Sequence, residues 1–516
     1  MTKINYFAVS ILLFIFFFLY IFLFTEHNAK KLSWDEVDYV KATEKGILEN
    51  FFDFESNNFF KHFDESISKL LDKKKIKTIT KNEIKLYKLE NDTFKLRHFH
   101  PPLLNIVLST YYSFIRIEND LNLSVYKKYS ILNIFLLFLF FFYFSKEKLN
   151  LINFIGIVLI LVIFFQTNNF KLTVSKINYH TLFGFTILFY LHSFISFKRN
   201  NNFINKLILA FSIFIIFFTL ETALFVFFIP LLFFAIIDRD QTFTSFFLKD
   251  FSKVFVMFLI FLFILWPSNI YNLTFLKTYS YYFYRVFIMN YSEYSDLNAF
   301  KFLLFFIIEN KIILSIFLLF LVEYFYNFKK NYKFFLSLLI FTIFLYSLFV
   351  LPFAHHPSYF FPVMILIVYF LCLRLIEILS QRRLIFFNLL FIFIIIYSYL
   401  LQIDRYEKDF FVNTNNIFNL LNKKNNQIYL VDGAHIFKYY FENNEYINLE
   451  VYDKYNPKFY IKFNNDFYDV KYLISQKYFD GIIIQKNRKY KKIHYQNLIE
   501  YGYKLDSKFK NYYFYY

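Results

Sequence analysis

Long apolar segments separated by short polar loops fill most of the chain between residues 4 and 402. Segments of about twenty apolar residues are typical of transmembrane helices, because a helix needs roughly that length to cross the hydrocarbon core of a bilayer. The pattern therefore predicts an α-helical polytopic membrane protein with about eleven transmembrane helices. The predicted spans are residues 4–24, 128–145, 151–166, 179–197, 204–219, 220–237, 252–267, 301–325, 333–352, 359–379 and 384–402.

Two of these predictions have a competing interpretation. The stretch 203–237 is counted as two spans, since its apolar residues would make a single helix of about 50 Å at about 1.5 Å per residue. The first span, residues 4–24, is interpreted as an uncleaved helix instead of a signal peptide. Its apolar stretch is longer than that of a typical signal peptide, and no small-residue cleavage site follows it.

Two regions of the chain are polar. Residues 25–127 are predicted to form a long first outer loop, in which Gly46–Phe63 and Leu103–Ile117 form helices lying in the membrane interface. Residues 403–516 carry short β-type segments between polar stretches, which predicts a small extracytoplasmic α/β domain. The domain organisation expected is therefore a transmembrane domain over residues 1–402 and an α/β domain over residues 403–516.

The distribution of charge sets the expected orientation. Lys and Arg number 57 against 39 Asp and Glu, so the net charge is +18. Most of the short loops on one side of the predicted spans are cationic, which obeys the positive-inside rule if the N-terminus is cytoplasmic. An odd number of spans then places the C-terminal domain outside the cell. The positive charge is assigned to membrane topology, and no nucleic-acid partner is expected.

Missing motifs exclude several classes of protein. The only cysteine, Cys372, lies in an apolar segment, so no disulfide within the chain and no cysteine-based metal site is expected. The chain has no glycine-rich phosphate loop, no HExxH motif and no GxSxG motif. These absences argue against ATP-driven transport, against a zinc protease of the HExxH kind and against an α/β-hydrolase.

An acidic stretch follows the first predicted span. It contains Asp35, Glu36 and Asp38 between Trp34 and Tyr39, within about ten residues of the membrane. There are two interpretations of these residues. They are ordinary solvated acids, or they are held at the lipid boundary, where they act as a base or as metal ligands. The second interpretation is favoured here, because this is the densest carboxylate cluster in the outer part of the predicted transmembrane domain.

Histidines and one further acid are the other candidates for binding. His98 and His100 precede a Pro-Pro corner, and His355 and His356 lie in a proline-flanked outer loop. Histidine side chains donate hydrogen bonds that suit phosphate or sugar oxygens. Glu221 lies in a tight outer turn at bilayer level, where a carboxylate is either functional or an exposed loop residue.

The arrangement resembles the GT-C glycosyltransferases, which are polytopic enzymes that use polyprenyl-phosphate sugars. They include the aminoarabinose transferase, protein O-mannosyltransferase and lipopolysaccharide-core transferase branches. The resemblance covers residues 4–402 in layout, and three short motifs carry it: Asp35-Glu36-x-x-Tyr39, His100-Pro-Pro-Leu103 and Tyr359-Phe-Phe-Pro362. The arginine that usually precedes the last motif is replaced by Ser358, so histidines are expected to take over phosphate binding.

The resemblance implies an enzyme that transfers a sugar from a polyprenyl-phosphate donor to a hydroxyl of a lipid, glycan or protein acceptor. It implies a prokaryotic plasma membrane, with membrane lipids as partners and the reaction on the outer face. Asp35 would be the general base and Glu36 would orient it. A divalent cation, Mg or Mn, is an optional cofactor held by Asp35 and Glu36. The implied substrate-binding residues are Tyr39, His98, His100, Glu221, His355, His356 and Tyr359.

The chemistry fits this interpretation independently of the resemblance. A lipid phosphate is a good leaving group, so one carboxylate acting as base is sufficient, whereas glycosidases need two carboxylates that flank the bond. Two alternatives stay open. The first is a lipid-linked sugar flippase or secondary transporter without catalytic activity, for which interrupted spans and buried charges would be expected. The second is an O-antigen-ligase-like transferase, whose acceptor-activating residues would lie in a late outer loop.

Overall fold

The computed structural model of the chain is mostly helical and contains a small sheet, as the sequence predicts. The residues that it describes form two compact units. One contains residues 46–52 and the described parts of 101–379, and the other contains residues 32, 34–45 and the described residues from 421 onward. The structure describes residues 32, 34–52, 101–118, 120–136, 151–174, 176–237, 247–283, 299–326, 334–351, 357–379, 421, 425–431, 434–441, 443–448, 460–463, 466–485, 495–506 and 512–516.

The described chain up to residue 379 consists mainly of helices, several of which lie at predicted spans. Those before the first described span are α1 (Trp34–Glu44), α2 (Gly46–Phe52), α3 (Leu103–Phe114) and α4 (Asp120–Lys127), and residues 129–136 are also helical. The remaining helices of this part are α5 (Leu151–Gln166), α6 (Asn168–Val174), α7 (His180–Arg199), α8 (Phe203–Thr219), α9 (Ala223–Ile237), α10 (Ser252–Leu265), α11 (Ser268–Asn272), α12 (Thr274–Phe283), α13 (Ala299–Glu309), α14 (Lys311–Tyr326), α15 (Phe334–Val350) and α16 (Phe361–Leu379). A π-helical turn over Phe247–Phe251 precedes α10, and a 3-10 turn over Pro357–Phe360 precedes α16.

The number of helices that could cross a membrane is smaller than predicted. Among the described residues, two helical segments are long and apolar enough, His180–Arg199 and Ser358–Glu377. A third is reached if the bent pair around Asn310 is counted as one span. Other helices at predicted spans are apolar but shorter, such as α8 and α15 with 17 residues each. The predicted spans 4–24 and 384–402 lie outside the described residues.

Two breaks in the helices were tested by the structure. The division of 203–237 into two helices is confirmed, because α8 ends at Thr219 and α9 begins at Ala223. The single helix expected over 301–325 is wrong, since α13 and α14 meet at Asn310 with a bend of 89°. The Asn310 side chain donates a 2.8 Å hydrogen bond to the Phe306 carbonyl. Asparagine favours helix ends, because its amide competes for backbone groups in this way.

Helices α7 and α16 form the centre of the larger unit, and they run parallel to each other. Near their first residues, the His180 ring lies 4.7 Å from the Tyr359 ring. About three turns further along both helices, His192 Nε2 lies 2.6 Å from the Tyr369 hydroxyl. Gly184 permits this close approach, because a Cβ atom there would collide with the Ile365 side chain. The parallel packing brings the sequence before α7 and the sequence before α16 to the same end of the helix pair.

An ion network around one buried arginine lies in the C-terminal half of α16. The guanidinium of Arg374, which is 2 % exposed, binds both carboxylate oxygens of Glu323 on α14 at 2.6 and 2.7 Å. Its other terminal nitrogen donates to Glu377 at 2.9 Å. Buried charges are tolerated when they are paired in this way. The network therefore joins α14 to α16 at the end of the helix opposite Tyr359.

The C-terminal residues form the predicted α/β domain. Its order is β1 (Ile428–Val431), α17 (Ala434–Tyr440), β2 (Glu445–Asn448), β3 (Tyr460–Phe463), β4 (Asp466–Asp469), α18 (Val470–Ser475), β5 (Gly481–Gln485), α19 (Tyr495–Glu500), β6 (Leu505–Asp506) and β7 (Tyr512–Tyr515). The main sheet has the strand order β2-β1-β5-β7-β6, in which β2, β1 and β5 are parallel and β7 is antiparallel to β5. Strands β3 and β4 form a separate hairpin.

Aromatic rings hold the helix α17 on this sheet. The Tyr429 ring of β1 stacks on Tyr446 of β2 at 5.7 Å, and Tyr446 stacks on Phe437 of α17 at 5.8 Å. Burial, together with the nearby Asp480 carboxylate, raises the pKa of Tyr429 to about 12. The tyrosine is therefore neutral at physiological pH, and it fills the core as an uncharged aromatic ring. The stack fixes α17 to the parallel part of the sheet.

Candidate functional site

The acidic stretch forms the helix α1, and five consecutive residues of it are buried. Glu36, Val37, Asp38, Tyr39 and Val40 are each at most 2 % exposed. Because an α-helix has about 3.6 residues per turn, five buried residues in a row leave no side of that turn open to solvent. Ordinary solvated acids are therefore excluded for Glu36 and Asp38.

The burial of these two carboxylates is unusual for their residue type. Asp and Glu are almost never fully buried in proteins unless they are paired or perform a function. Glu36 is 2 % exposed and Asp38 is 1 % exposed. Asp35, the expected base, is the second residue of the same helix, and Tyr39 lies one turn further along. The side chain of Asp35 lies outside the part of the chain that the structure describes.

Helix α1 lies in the smaller unit and contacts the C-terminal domain. The acidic stretch was assigned by sequence to the transmembrane domain, whereas the structure groups residues 34–45 with the sheet. The hydroxyl of Tyr440, on α17, accepts a 2.6 Å hydrogen bond from the Leu32 amide. The Lys41 ammonium lies 5.3 Å from the Tyr439 ring centroid. The predicted boundary at residues 402 and 403 falls outside the described residues.

A second polar cluster lies in the larger unit, where α7 and α16 begin. Tyr359, an expected substrate-binding residue, has its hydroxyl 3.5 Å from the Tyr179 hydroxyl. The His180 ring packs against both tyrosines, with ring centroids 4.5 Å from Tyr179 and 4.7 Å from Tyr359. His180 is 4 % exposed. Tyr359, in the predicted motif Tyr359-Phe-Phe-Pro362, therefore contacts two residues that were not predicted, His180 and Tyr179.

Asn178 organises the backbone around this cluster. Its side-chain oxygen accepts a 3.0 Å hydrogen bond from the His180 amide. Its side-chain nitrogen donates to the carbonyls of Thr173 at 2.6 Å and Lys176 at 2.9 Å. Its own amide donates to the Tyr129 hydroxyl at 3.1 Å. These four hydrogen bonds fix the loop before α7, and they therefore fix the backbone position of His180.

Two lysines in the same unit are buried. Lys127 is 0 % exposed and Lys128 is 8 % exposed, at the turn between α4 and the helix over residues 129–136. That helix is joined to the start of α7 by a 3.4 Å hydrogen bond from Asn133 to Thr181. These two lysines were not among the residues predicted from sequence, where the positive charge was explained by membrane topology. One feature of the sequence could have identified them. They are adjacent cations on the predicted outer side of the membrane, where the positive-inside rule disfavours cations.

Glu221 lies in the turn between α8 and α9 and is 4 % exposed, so the exposed-loop interpretation is wrong. The Tyr279 hydroxyl donates to the carbonyls of Phe217 at 2.9 Å and Leu220 at 3.2 Å, which fixes the end of α8. On the other side of the turn, the hydroxyls of Thr222 and Tyr346 are 3.3 Å apart. The turn is therefore a rigid, buried structure that presents one carboxylate among tyrosines.

The remaining predicted ligands are not tested by the structure. His98, His100, His355 and His356 lie outside the described residues. Within the described ranges, no group of three or more His, Cys, Asp and Glu residues could hold a metal ion. Asp35 and Glu36 stay the expected ligands of the optional cation.

The candidate residues fall into two groups of different chemistry. The smaller unit carries the acidic helix α1, and the larger unit carries Lys127, Lys128, His180 and Tyr359. The first group can accept a proton, and the second consists of cations and hydrogen-bond donors. No protein-family model and no curated protein matches the sequence of this chain.

Proposed function

We propose that the chain is a membrane glycosyltransferase that moves a sugar from a polyprenyl-phosphate donor to an acceptor hydroxyl, with Asp35 as the general base. The observation that supports this most strongly is the burial of Glu36 and Asp38 in the turn that follows Asp35. Carboxylates are rarely removed from water in this way, and Asp35 is the residue that directly precedes them. An ordinary surface helix would leave these carboxylates in water.

The reaction we propose is a single displacement at the sugar. Asp35 removes the proton of the acceptor hydroxyl as its oxygen forms a bond to the anomeric carbon. The bond between that carbon and the phosphate oxygen breaks, and polyprenyl phosphate leaves with the electron pair. Because the phosphate is already a stable anion, no strong general acid is required. Glu36 is proposed to orient Asp35.

Cations and donors are required to hold the donor phosphate. Lys127 and Lys128 are proposed for this role, together with His180 and Tyr359, because charge-assisted hydrogen bonds to phosphate are the strongest that a protein makes. The expected phosphate ligands His98, His100, His355 and His356 stay in the proposal. Tyr39 and Glu221 are proposed to contact the sugar or the acceptor, for which a carboxylate and a phenol are suitable partners.

A divalent cation, Mg or Mn, is an optional part of the same proposal. Both ions prefer oxygen ligands, and Asp35 with Glu36 supplies two adjacent carboxylates. When bound, the ion would neutralise charge next to the leaving phosphate. The removal of the proton by Asp35 does not require the cation.

The topology belongs to the proposal as well. About eleven spans, a cytoplasmic N-terminus and an extracytoplasmic C-terminal domain in a prokaryotic plasma membrane are what the charge pattern and the resemblance imply. The parallel helices α7 and α16 support it, because both were predicted to enter the membrane from the outer side. The donor and the acceptor would then meet the protein at its outer face.

A lipid-linked sugar flippase or secondary transporter is the second candidate, and the structure gives it more support than the sequence did. The 89° bend at Asn310 interrupts a predicted span. The ion network of Arg374, Glu323 and Glu377 places one buried cation, Arg374, within α16. Interrupted helices and buried charges are both features of transporters.

A transfer assay on two acid-to-amide variants tests the proposed base. Purified protein in membranes receives a series of radiolabelled polyprenyl-phosphate sugars, and kcat is compared for wild type, Asp35→Asn and Glu49→Gln. We expect Asp35→Asn to lower kcat by about 10²- to 10⁴-fold, the usual contribution of a general base. Glu49→Gln is the control and should leave kcat unchanged, because Glu49 is an exposed acid on the next helix, α2. An Asp35→Asn protein with wild-type kcat would show that Asp35 is not the base.

A further inference from the structure

The C-terminal domain touches the acidic helix at two adjacent tyrosines. Tyr439 and Tyr440 are the last two residues of α17, and their rings lie 5.1 Å apart at 86°. Tyr440 contacts the residue that precedes α1, and Tyr439 contacts the last part of α1. A single helical turn of the C-terminal domain therefore contacts both ends of the helix that carries Asp35, Glu36 and Asp38.

The contact made by Tyr440 joins parts of the chain that are 408 residues apart. Its hydroxyl accepts the 2.6 Å hydrogen bond from the Leu32 amide and donates a longer one, of 3.4 Å, to the Leu32 carbonyl. Leu32 is 1 % exposed, so its backbone groups are hidden from bulk water. A buried amide needs a partner, and Tyr440 is the partner that the structure provides two residues before α1 begins.

The contact made by Tyr439 acts on the other end of α1. The Lys41 ammonium lies 5.3 Å from the centre of the Tyr439 ring, within the range of a cation–π interaction. The same ammonium is 2.9 Å from the Glu44 carboxylate, which orients it along the helix. Tyr439 therefore limits rotation of the helix end, while Tyr440 fixes its start.

The tyrosines are themselves held firmly in the domain. Phe437, on the same helix, is part of the stack with Tyr446 and Tyr429 on the parallel strands. The Lys438 ammonium donates a 3.2 Å hydrogen bond to the Asn444 carbonyl just before β2. The position of α17 is thus set by the sheet, and the position of α1 is set by α17.

We infer that the C-terminal α/β domain positions the acidic helix, and that Tyr440 is a positioning residue for Asp35. This inference rests on the proposed function for its consequence in catalysis, because positioning matters only if α1 carries the base. A catalytic group must be held to about 0.5 Å by the residues around it. The domain supplies that restraint through one hydroxyl group on a fixed helix.

The substitution Tyr440→Phe tests the inference with little disturbance of packing. It removes the hydroxyl and keeps the ring, so the contacts of the ring with Tyr439 remain. Tyr501→Phe is the matched control, because Tyr501 is 37 % exposed and lies in the same unit. Both variants are made in the full chain, reconstituted in lipid nanodiscs.

The first readout is hydrogen exchange measured by mass spectrometry over residues 32–44, without any substrate. We expect the exchange of the segment containing Leu32 and α1 to become at least tenfold faster in Tyr440→Phe and to be unchanged in Tyr501→Phe. Exchange equal to that of wild type would overturn the inference, whatever reaction the protein performs. Exchange that rises equally over the whole unit would also overturn it, because it would show a loss of stability instead of a local restraint.

The second readout is the transfer reaction with a donor that the wild type uses. We expect Tyr440→Phe to lower kcat by about tenfold while the KM for the donor stays within twofold. No further loss is expected when Tyr440→Phe is added to Asp35→Asn, since both act through the same group. A kcat equal to wild type would overturn the catalytic consequence. If the wild type transfers no sugar from any donor of the series and exchange is still faster in Tyr440→Phe, the transferase would be overturned and the positioning of α1 would stand.

Discussion

The acidic helix α1 and the larger unit both contain buried polar residues, yet they differ in the charge they hide. Helix α1 hides carboxylates at 1 % and 2 % exposure. The larger unit hides two lysines, Lys127 and Lys128, at 0 % and 8 % exposure, and it also contains His180 and Tyr359. One region is suited to accepting a proton and the other to binding an anion. Under the proposed function, these two tasks would belong to different units of the chain.

The two regions also differ in how they are held. The start of α1 depends on one hydroxyl from a residue 408 positions later in the chain. The loop before α7 is fixed by four hydrogen bonds of one asparagine, three of them to residues within five positions. Long-range contacts of the first kind depend on the whole fold, whereas the second kind forms locally. Substitutions in the two regions are therefore expected to change different parameters.

The largest effect among these is expected from the two buried lysines. The double substitution Lys127→Met, Lys128→Met removes both cations and keeps the length of the side chains. A hydrogen bond to a charged group contributes about 1.5–3 kcal/mol, and 1.4 kcal/mol corresponds to a factor of ten. We therefore expect the KM for the lipid-phosphate donor to rise by about 100-fold or more, with kcat changed much less.

The matched control for the lysines is Lys176→Met, because Lys176 is exposed and lies in the loop before α7. Steady-state kinetics at a series of donor concentrations measures both parameters for each variant. A donor KM that is the same in the double variant and in the control would remove Lys127 and Lys128 from the phosphate site. The larger unit would then have no support as the region that binds the donor phosphate.

A smaller effect is expected from Asn178→Ala. This substitution removes three side-chain hydrogen bonds, each worth about 0.5–1.5 kcal/mol net. The free energy of unfolding should fall by about 2 kcal/mol, measured by equilibrium unfolding in mixed detergent micelles. Asn425→Ala, at an exposed position of the C-terminal domain, should leave it unchanged. Equal stability of the two variants would show that the Asn178 network is not what holds the loop before α7.

Much of the helical framework could be predicted from the sequence, because apolar segments and their interruptions are local features. The turn around Glu221 is an example, since an acid between two threonines interrupts an apolar stretch and the structure breaks the helix there. The bend at Asn310 was missed. Three consecutive polar residues, Glu309, Asn310 and Lys311, interrupt the apolar segment there. Whether they bend the helix depends on where the asparagine amide finds a backbone partner.

The candidate site was less accessible to prediction from sequence. The carboxylates of α1 were identified, because a dense acidic cluster after an apolar segment is visible in the sequence. The burial of these carboxylates and the contact between Leu32 and Tyr440 were not predicted, because both depend on the tertiary fold. Lys127 and Lys128 were not singled out, since a cation before an apolar helix is usually a flanking charge. A flanking lysine and a buried lysine look the same in the sequence, and they differ only in the exposure of the side chain in the structure.

The most direct test of the transferase is a measurement that distinguishes transfer of the sugar from its transport. Wild-type protein is reconstituted in sealed vesicles with a radiolabelled polyprenyl-phosphate sugar and a membrane extract that supplies acceptors. The proposed function predicts that label leaves the lipid phosphate and appears on a new acceptor, and that this stops with Asp35→Asn. Label that crosses the bilayer while still attached to the lipid phosphate, equally with both proteins, would contradict the transferase and support the transporter.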